Sequence, residues 1–197
     1  MMLPLTTPRL LLRRFRTEDL PSFSHYRNLP EVARFQSWTQ YGMTEARAFY
    51  EQQRSLAFAE DESWFQLAVE IQANGALAGD VGIHFFDQGR QAELGMTFSP
   101  AYQHQGYARE AIQAVMALLF EQLAHHRLIA VVDTRNSGAI KLLEGLGFRR
   151  EAHYRQNIFF KGEWGDEYLY ALLRSEYQRS DGRAVTSVSA AVSCAGG

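Results

Sequence analysis

The strongest constraint in this chain is a change of hydrophobic period between residues 64 and 124. Phe65, Leu67, Val69 and Ile71 alternate with polar neighbours before the turn signal Asn74-Gly75. Residues 77–86 and 91–98 return across a second short turn, so the stretch reads as three consecutive antiparallel strands. Ser99-Pro100 stops the last of them. From Gly106 the spacing is helical, with Ala108, Ala111, Ile112, Val115, Leu119 and Leu123 on one face and Glu110, Gln113 and Glu121 off it. A meander running directly into a long amphipathic helix fits few architectures other than a helix laid on a mixed sheet.

The flanks extend that pattern. Residues 9–15 read as a strand, Thr17-Glu18-Asp19 opens a short helix ending by Asn28 to Pro30, and Thr44 caps a helix predicted over 45–60. Residues 35–42 between them form an aromatic-rich loop. A short apolar run at 128–132 suits a strand covered on both sides, 137–144 a helix stopped at Gly145 or Gly147, and 149–160 and 166–173 two closing strands. The expected fold is α/β: a single mixed, mostly antiparallel sheet of about seven strands flanked by helices. With 197 residues, of which 46% are hydrophobic, one core is expected over 1–177. The small, polar stretch 178–197 is expected to be a flexible tail.

Composition narrows the function classes. Twenty Lys+Arg against 22 Asp+Glu leave a formal charge of -2, so no diffuse positive field favours nucleic acid or an anionic membrane, and neither is expected as a partner. Lys141 and Lys161 are the only lysines, which leaves little scope for Schiff-base chemistry. The single cysteine, Cys194, rules out a disulfide framework and a cysteine-based zinc site. The adjacent side chains of His125-His126 do not converge, so no metal is expected. With no basic-then-apolar leader and no long apolar span, the reading is a cytoplasmic protein.

The most informative segment is 98–108, Phe98-Ser99-Pro100-Ala101-Tyr102-Gln103-His104-Gln105-Gly106-Tyr107-Ala108. Here a strand stops and a helix starts across a glycine. N–H groups at a helix start lack internal acceptors and coincide with the positive end of its dipole, so the segment can hold a pyrophosphate. Neither the P-loop spacing nor the dinucleotide fingerprint is present.

Gln103-His104-Gln105-Gly106-Tyr107-Ala108 resembles the Arg/Gln-x-x-Gly-x-Gly/Ala signature of the GNAT superfamily of acyl-CoA N-acyltransferases. A second block, 133–148, is similar to that family's Asn-containing helix, with Asn136 near its start and Leu146-Gly147-Phe148 at its end. Pro8-Arg9-Leu10, Ala92-Glu93-Leu94-Gly95, Leu142-Leu143-Glu144 and Gly162-Glu163-Trp164-Gly165-Asp166 resemble the branch containing ribosomal-protein N-terminal acetyltransferases. The resemblance implies acetyl-CoA as donor and a primary amine as acceptor, either a protein N-terminus or a small amine. Attack is then direct, in a ternary complex, with no covalent enzyme intermediate.

Site roles follow from the same resemblance. Main-chain groups of Met96, Thr97 and Phe98 are expected to orient the pantetheine arm, and Gln103, His104, Gln105, Gly106, Tyr107, Ala108 and Arg109 to take the phosphates. Asn136 is expected beside the cofactor, as an N-cap, or both. Glu93 is the first candidate for general base, ahead of His84 and Asp166. The family's usual proton donors are missing, since their positions hold Leu143 and Ala139. Tyr154 or Ser137 stands in, or the thiolate leaves unaided. Trp38, His84 and Asp166 are expected on the acceptor side, with Phe35 and Tyr41 beside Trp38. Glu62, Glu93, Glu163, Asp166 and Glu167 are candidates for an acidic pocket. An alternative is a catalytically weak or inactive acyl-CoA-binding sensor. The exposed hairpin or the C-terminal strand offers an edge for a homodimer.

Overall fold

The computed structural model describes residues 3–177, so the expected tail and Cys194 lie outside the described residues. Eight strands form one sheet: β1 (Leu5–Thr6), β2 (Leu10–Arg13), β3 (Ser63–Ile71), β4 (Leu77–Phe86), β5 (Gln91–Phe98), β6 (Arg127–Asp133), β7 (Arg149–Phe160) and β8 (Glu163–Leu173). Their spatial order is β1-β2-β3-β4-β5-β6-β8-β7. Every pairing is antiparallel except the parallel contact of β5 with β6. The strand beyond the expected seven is β1, whose two residues are too few to show an alternation. β8 starts at Glu163 rather than 166, because Lys161 and Gly162, both at positive φ, make the hairpin turn tighter than expected.

The helices are α1 (Leu20–Arg27), α2 (Pro30–Ala33), α3 (Met43–Ser55), α4 (Tyr107–Ala117) and α5 (Ser137–Gly145). The four-residue α2 carries no sequence period of its own; Pro30 at its first position presets φ for the turn. α3 ends five residues before the expected Glu60, as Leu56 is extended. It starts at a Gly42 N-cap, where the Glu45 side chain accepts the Gly42 N–H at 2.8 Å, rather than at Thr44. The long helix expected over 106–124 is α-helical only to Ala117 and continues as a wider π-helical turn over Leu118–Gln122. Among the described residues no helix is long and apolar enough to cross a membrane.

Period-two alternation gives the central strands two unlike faces. Val81, Ile83 and Phe85 of β4 join Ala111, Ile112 and Val115 of α4 in one fully buried apolar cluster. The other face of β3, β4 and β5 carries Trp64, Gln66, Asp80, His84 and Glu93, and a second core covers part of it, built from Phe23 and Tyr26 of α1, Ala46 and Phe49 of α3, and the flanking Phe15 and Tyr41. Gly82 and Gly95 sit opposite each other in the β4–β5 ladder. A Cβ at Gly82 would lie 2.8 Å from Gln66 Oε1 and 3.2 Å from Trp64 Cε3, so this glycine makes room for the tryptophan ring.

Candidate active site

The parallel ladder between β5 and β6 is short, matching only Gln91, Ala92 and Glu93 with Arg127, Leu128 and Ile129. Beyond Glu93 and Ile129 the two strands part. β5 stays bonded to β4 up to Phe98 and β6 to β8 up to Asp133, so each presents an open edge to the gap. A cavity of about 470 Å³ occupies it, lined by Leu94, Gly95 and Met96 on one side and by residues 130–133 and Asn136 on the other. Such an opening offers main-chain donors and acceptors to an extended ligand in the way a missing strand would. Thr97 and Phe98 continue the same edge of β5 but are buried against β4.

At the far end of β5, the turn Pro100–Tyr102 leads into the exposed residues 103–106 and the start of α4. Gly106 is the N-cap with φ +81°, and His104 also takes a positive φ of 60°. The Gly106 conformation is one that a side chain would strain. The first helical acceptor is the Gly106 carbonyl, taken by the Glu110 N–H at 3.1 Å. The N–H groups of Tyr107, Ala108 and Arg109 therefore have no acceptor within the helix. Gln103 and Gln105 turn their side chains inward, donating to the carbonyls of Phe98 and Ala101, both at 2.9 Å. The exposed loop and the three N–H groups at the helix start that lack helical acceptors form a donor set that suits a pyrophosphate.

Glu93 and Glu167 line the cavity on the face opposite α4, together with Trp64, Phe35, Ile158 and Phe160. Burial pushes the Glu93 carboxyl above its ordinary range, the charge of Glu167 adds to that rise, and His84 opposes it. His84 lies across from Glu93 in the ladder, its ring stacked on Trp64 at 5.1 Å and near Phe86 at 5.5 Å. Asn157 donates to Glu167 at 2.6 Å. Two carboxylates against aromatic walls suit a cationic guest.

The other expected residues are placed as follows. Asn136 lines the cavity and also caps α5, its Oδ1 accepting from the Ala139 N–H at 3.2 Å. Ala139 and Leu143, the positions without proton donors, line it too. Arg109 is turned away from the loop, donating to the Gly145 carbonyl at 2.8 Å at the end of α5. Tyr154, on β7, is 40% exposed and is not among the cavity residues. Asp166 is engaged on β7 by His153 and by the Gln156 N–H, each at 2.8 Å. Glu163 pairs with Arg135, and Glu62 is exposed in a turn. Trp38 donates to the Arg27 carbonyl at 2.9 Å and packs on Tyr41, one layer behind Phe35, Gln36 and Ser37, which do reach the cavity.

Sequence reading missed two groups. One is a buried cluster on the same face of the sheet as Glu93 and Trp64: Asp80, fully buried, accepts from Arg27 at 2.7 Å and also from Tyr26 and Gln66. The Arg27 guanidinium lies over the rings of Phe23 at 4.3 Å and Trp38 at 4.4 Å. The other is Lys161 at the β7–β8 hairpin, which donates to the Ala33 carbonyl at the end of α2. A hydrophobic window around Asp80 hides the first, and no local pattern announces the second.

The comparisons agree with this geometry. A family model described as "Acetyltransferase (GNAT) domain" matches residues 9–149, well over half of the chain. N-acetyltransferase YnaD of Bacillus subtilis is 28% identical over 173 residues, covering 88% of this chain and 98% of the relative. The crystal structure of a GNAT-family acetyltransferase from Bacillus anthracis superposes with a TM-score of 0.81 at 27% identity, over 88% of this chain and 100% of that one. Spermidine N(1)-acetyltransferase of Vibrio cholerae is 31% identical over 88 residues, 45% of this chain and 51% of that protein. The chain belongs to the GNAT family and is an acetyl-CoA-dependent N-acetyltransferase.

Proposed function

We propose that this enzyme acetylates the primary amine of a small cationic acceptor by direct attack in a ternary complex. The observation that carries the reading is the pairing of Glu93 with Glu167 in one cavity, on the side of the sheet away from α4. Acetyl-CoA supplies an acyl thioester that an amine can attack. The open edge of β5 at Met96, Thr97 and Phe98 is the element that would pair with the pantetheine arm. The N–H groups from Tyr107 to Arg109 would receive the pyrophosphate.

On the acceptor side, Glu167 attracts the ammonium form and Glu93 takes its proton, directly or through water, leaving the neutral amine to attack. The raised Glu93 carboxyl suits that task, because burial makes it a stronger base than an ordinary glutamate and so a better acceptor of the amine proton. Asn136 at the head of α5 holds the inner end of the cavity. The positions where the family carries proton donors hold Ala139 and Leu143 in the lining, and the thiolate leaves without an acid from them. The two carboxylates favour a cationic amine, and the relation to a spermidine acetyltransferase points to polyamines.

The test is thioester consumption from acetyl-CoA with spermidine, an aminoglycoside and a peptide bearing a free N-terminus. The expected result is turnover with spermidine, reduced on the order of 10²-fold by Glu93→Gln. Turnover of the peptide alone would move the acceptor to protein N-termini. Tight CoA binding with no turnover of any amine would overturn the proposal in favour of a sensor.

A further inference from the structure

The loop at 103–108 is completed by a residue about a hundred positions earlier in the chain. Arg9, just ahead of β2, donates from its main-chain N–H to Glu110 Oε1 at 2.9 Å and from Nε to Glu110 Oε2 at 2.6 Å. Its Nη1 donates to the Gln105 carbonyl at 2.9 Å. The guanidinium carbon lies 4.5 Å from the centre of the Tyr107 ring. Thr7 Oγ1 adds a 2.6 Å bond to Glu110 Oε1. The start of the chain is thus fastened to the first turn of α4 by a carboxylate whose two oxygens are both engaged.

One donor is left over. Arg9 Nη2 has no partner among the described residues, and a Cβ at Gly106 would come within 3.2 Å of it. The space that this glycine leaves open is therefore bordered by a charged N–H group beside the helix start, on a side chain that is 45% exposed. Glu110 orients the guanidinium from the Nε side, and the Gln105 carbonyl holds it at Nη1, so Nη2 needs no reordering to meet an anion.

We propose that Arg9 is a donor-binding residue, holding the Gln105 carbonyl in place and directing Nη2 at the diphosphate carried by the loop. This rests on reading 103–108 as the diphosphate loop. Arg9 then supplies the cationic donor expected of Arg109, whose side chain is committed to α5.

Calorimetric titration with CoA, 3′-dephospho-CoA and pantetheine tests it without needing an acceptor. Wild-type protein is expected to bind the first two at least tenfold more tightly than pantetheine. Arg9→Gln should weaken CoA and dephospho-CoA by the same factor, about 10- to 100-fold for a charge-assisted bond, and leave pantetheine unchanged. Arg9→Lys should recover part of the loss. Unchanged CoA binding by a folded Arg9→Gln protein, a loss seen with CoA but not with dephospho-CoA, or an equal loss with pantetheine would each overturn the role of Arg9. If Arg9→Gln lacks a cooperative melt, Arg9→Lys is judged by the same ratios. Equal binding of CoA and pantetheine by the wild-type protein would instead sink the loop reading itself.

Discussion

The two faces of β4 and β5 are made from alternate residues of the same strands, yet they are held together by different forces. On the α4 face, Val81, Ile83 and Phe85 meet Ala111, Ile112 and Val115 without a polar side chain among them. The donors proposed there for acetyl-CoA are main-chain groups at the β5 edge and the start of α4, with Arg9 beside them. On the other face Asp80, Arg27, Tyr26 and Gln66 form a buried polar cluster, and the cavity itself is walled by Glu93, Glu167 and aromatic rings. The donor side thus depends on backbone shape, which many sequences can supply. The acceptor side depends on particular charges, and single substitutions there should act more sharply.

The largest expected effect tests that asymmetry through the buried pair. Asp80→Ala leaves Arg27 charged and unpaired in that buried cluster and is expected to cost about 3–5 kcal/mol in urea unfolding. Replacing both residues by apolar ones should recover much of it. A loss under about 1 kcal/mol for the single change would mean that the aromatic rings around Arg27 compensate for the missing carboxylate.

Next comes Glu93→Gln, with its drop on the order of 10²-fold in kcat/KM. In the wild-type pH profile, kcat/KM should rise with pH through a pKa above the ordinary glutamate value of 4.5, because burial favours the protonated form. The sign for stability is opposite. A carboxyl with a raised folded-state pKa is ionised at a cost to the folded state once pH exceeds that pKa, so Glu93→Gln should melt at a higher temperature than wild type at pH 7 and not below pH 4. A variant less stable at pH 7 would contradict the burial argument.

A smaller effect is expected at the hairpin. Lys161→Met removes the tie between the β7–β8 turn and α2, whose neighbours Phe160 and Phe35 line the cavity on its proposed acceptor side. The acceptor KM should rise about two- to tenfold while the KM for acetyl-CoA stays constant. Equal changes in both would place the tie outside acceptor recognition. Smallest is Tyr154→Phe, expected to leave kcat within about twofold, since the hydroxyl is exposed and absent from the cavity lining. A loss of 10²-fold would restore Tyr154 as the general acid.

Much of the fold was legible because it rests on local periodicity. Phe65, Leu67, Val69 and Ile71 announce a strand, and Ala111, Ile112 and Val115 a helix, wherever they are met. The same holds for the loop at 103–108, where the glycine and the following helix start are neighbours in sequence. Misplaced boundaries fall where tertiary contacts override propensity. Leu56 leaves α3 early and, like Phe58, packs on the main core, and the π-helical turn at Leu118–Gln122 buries Leu118, Leu119 and Phe120. The proposed acceptor side was legible as residue types only. Glu93 and Glu167 converge, but Asp166, one position away, points to His153 on β7, and no pattern along the chain distinguishes them.

Sequence by itself determined the α/β class, the order of the elements, the glycine-dependent loop and the family, because each is encoded by spacings of a few residues. Only the tertiary structure decided which charges meet. The parting of β5 from β6 after Glu93, the burial of Asp80 under Arg27 and the fastening of Arg9 to Glu110 join residues tens to a hundred positions apart. Pairings of that kind are fixed by how the sheet and helices close on one another, and Coulomb and hydrogen-bond energies depend on the resulting distances rather than on separation along the chain.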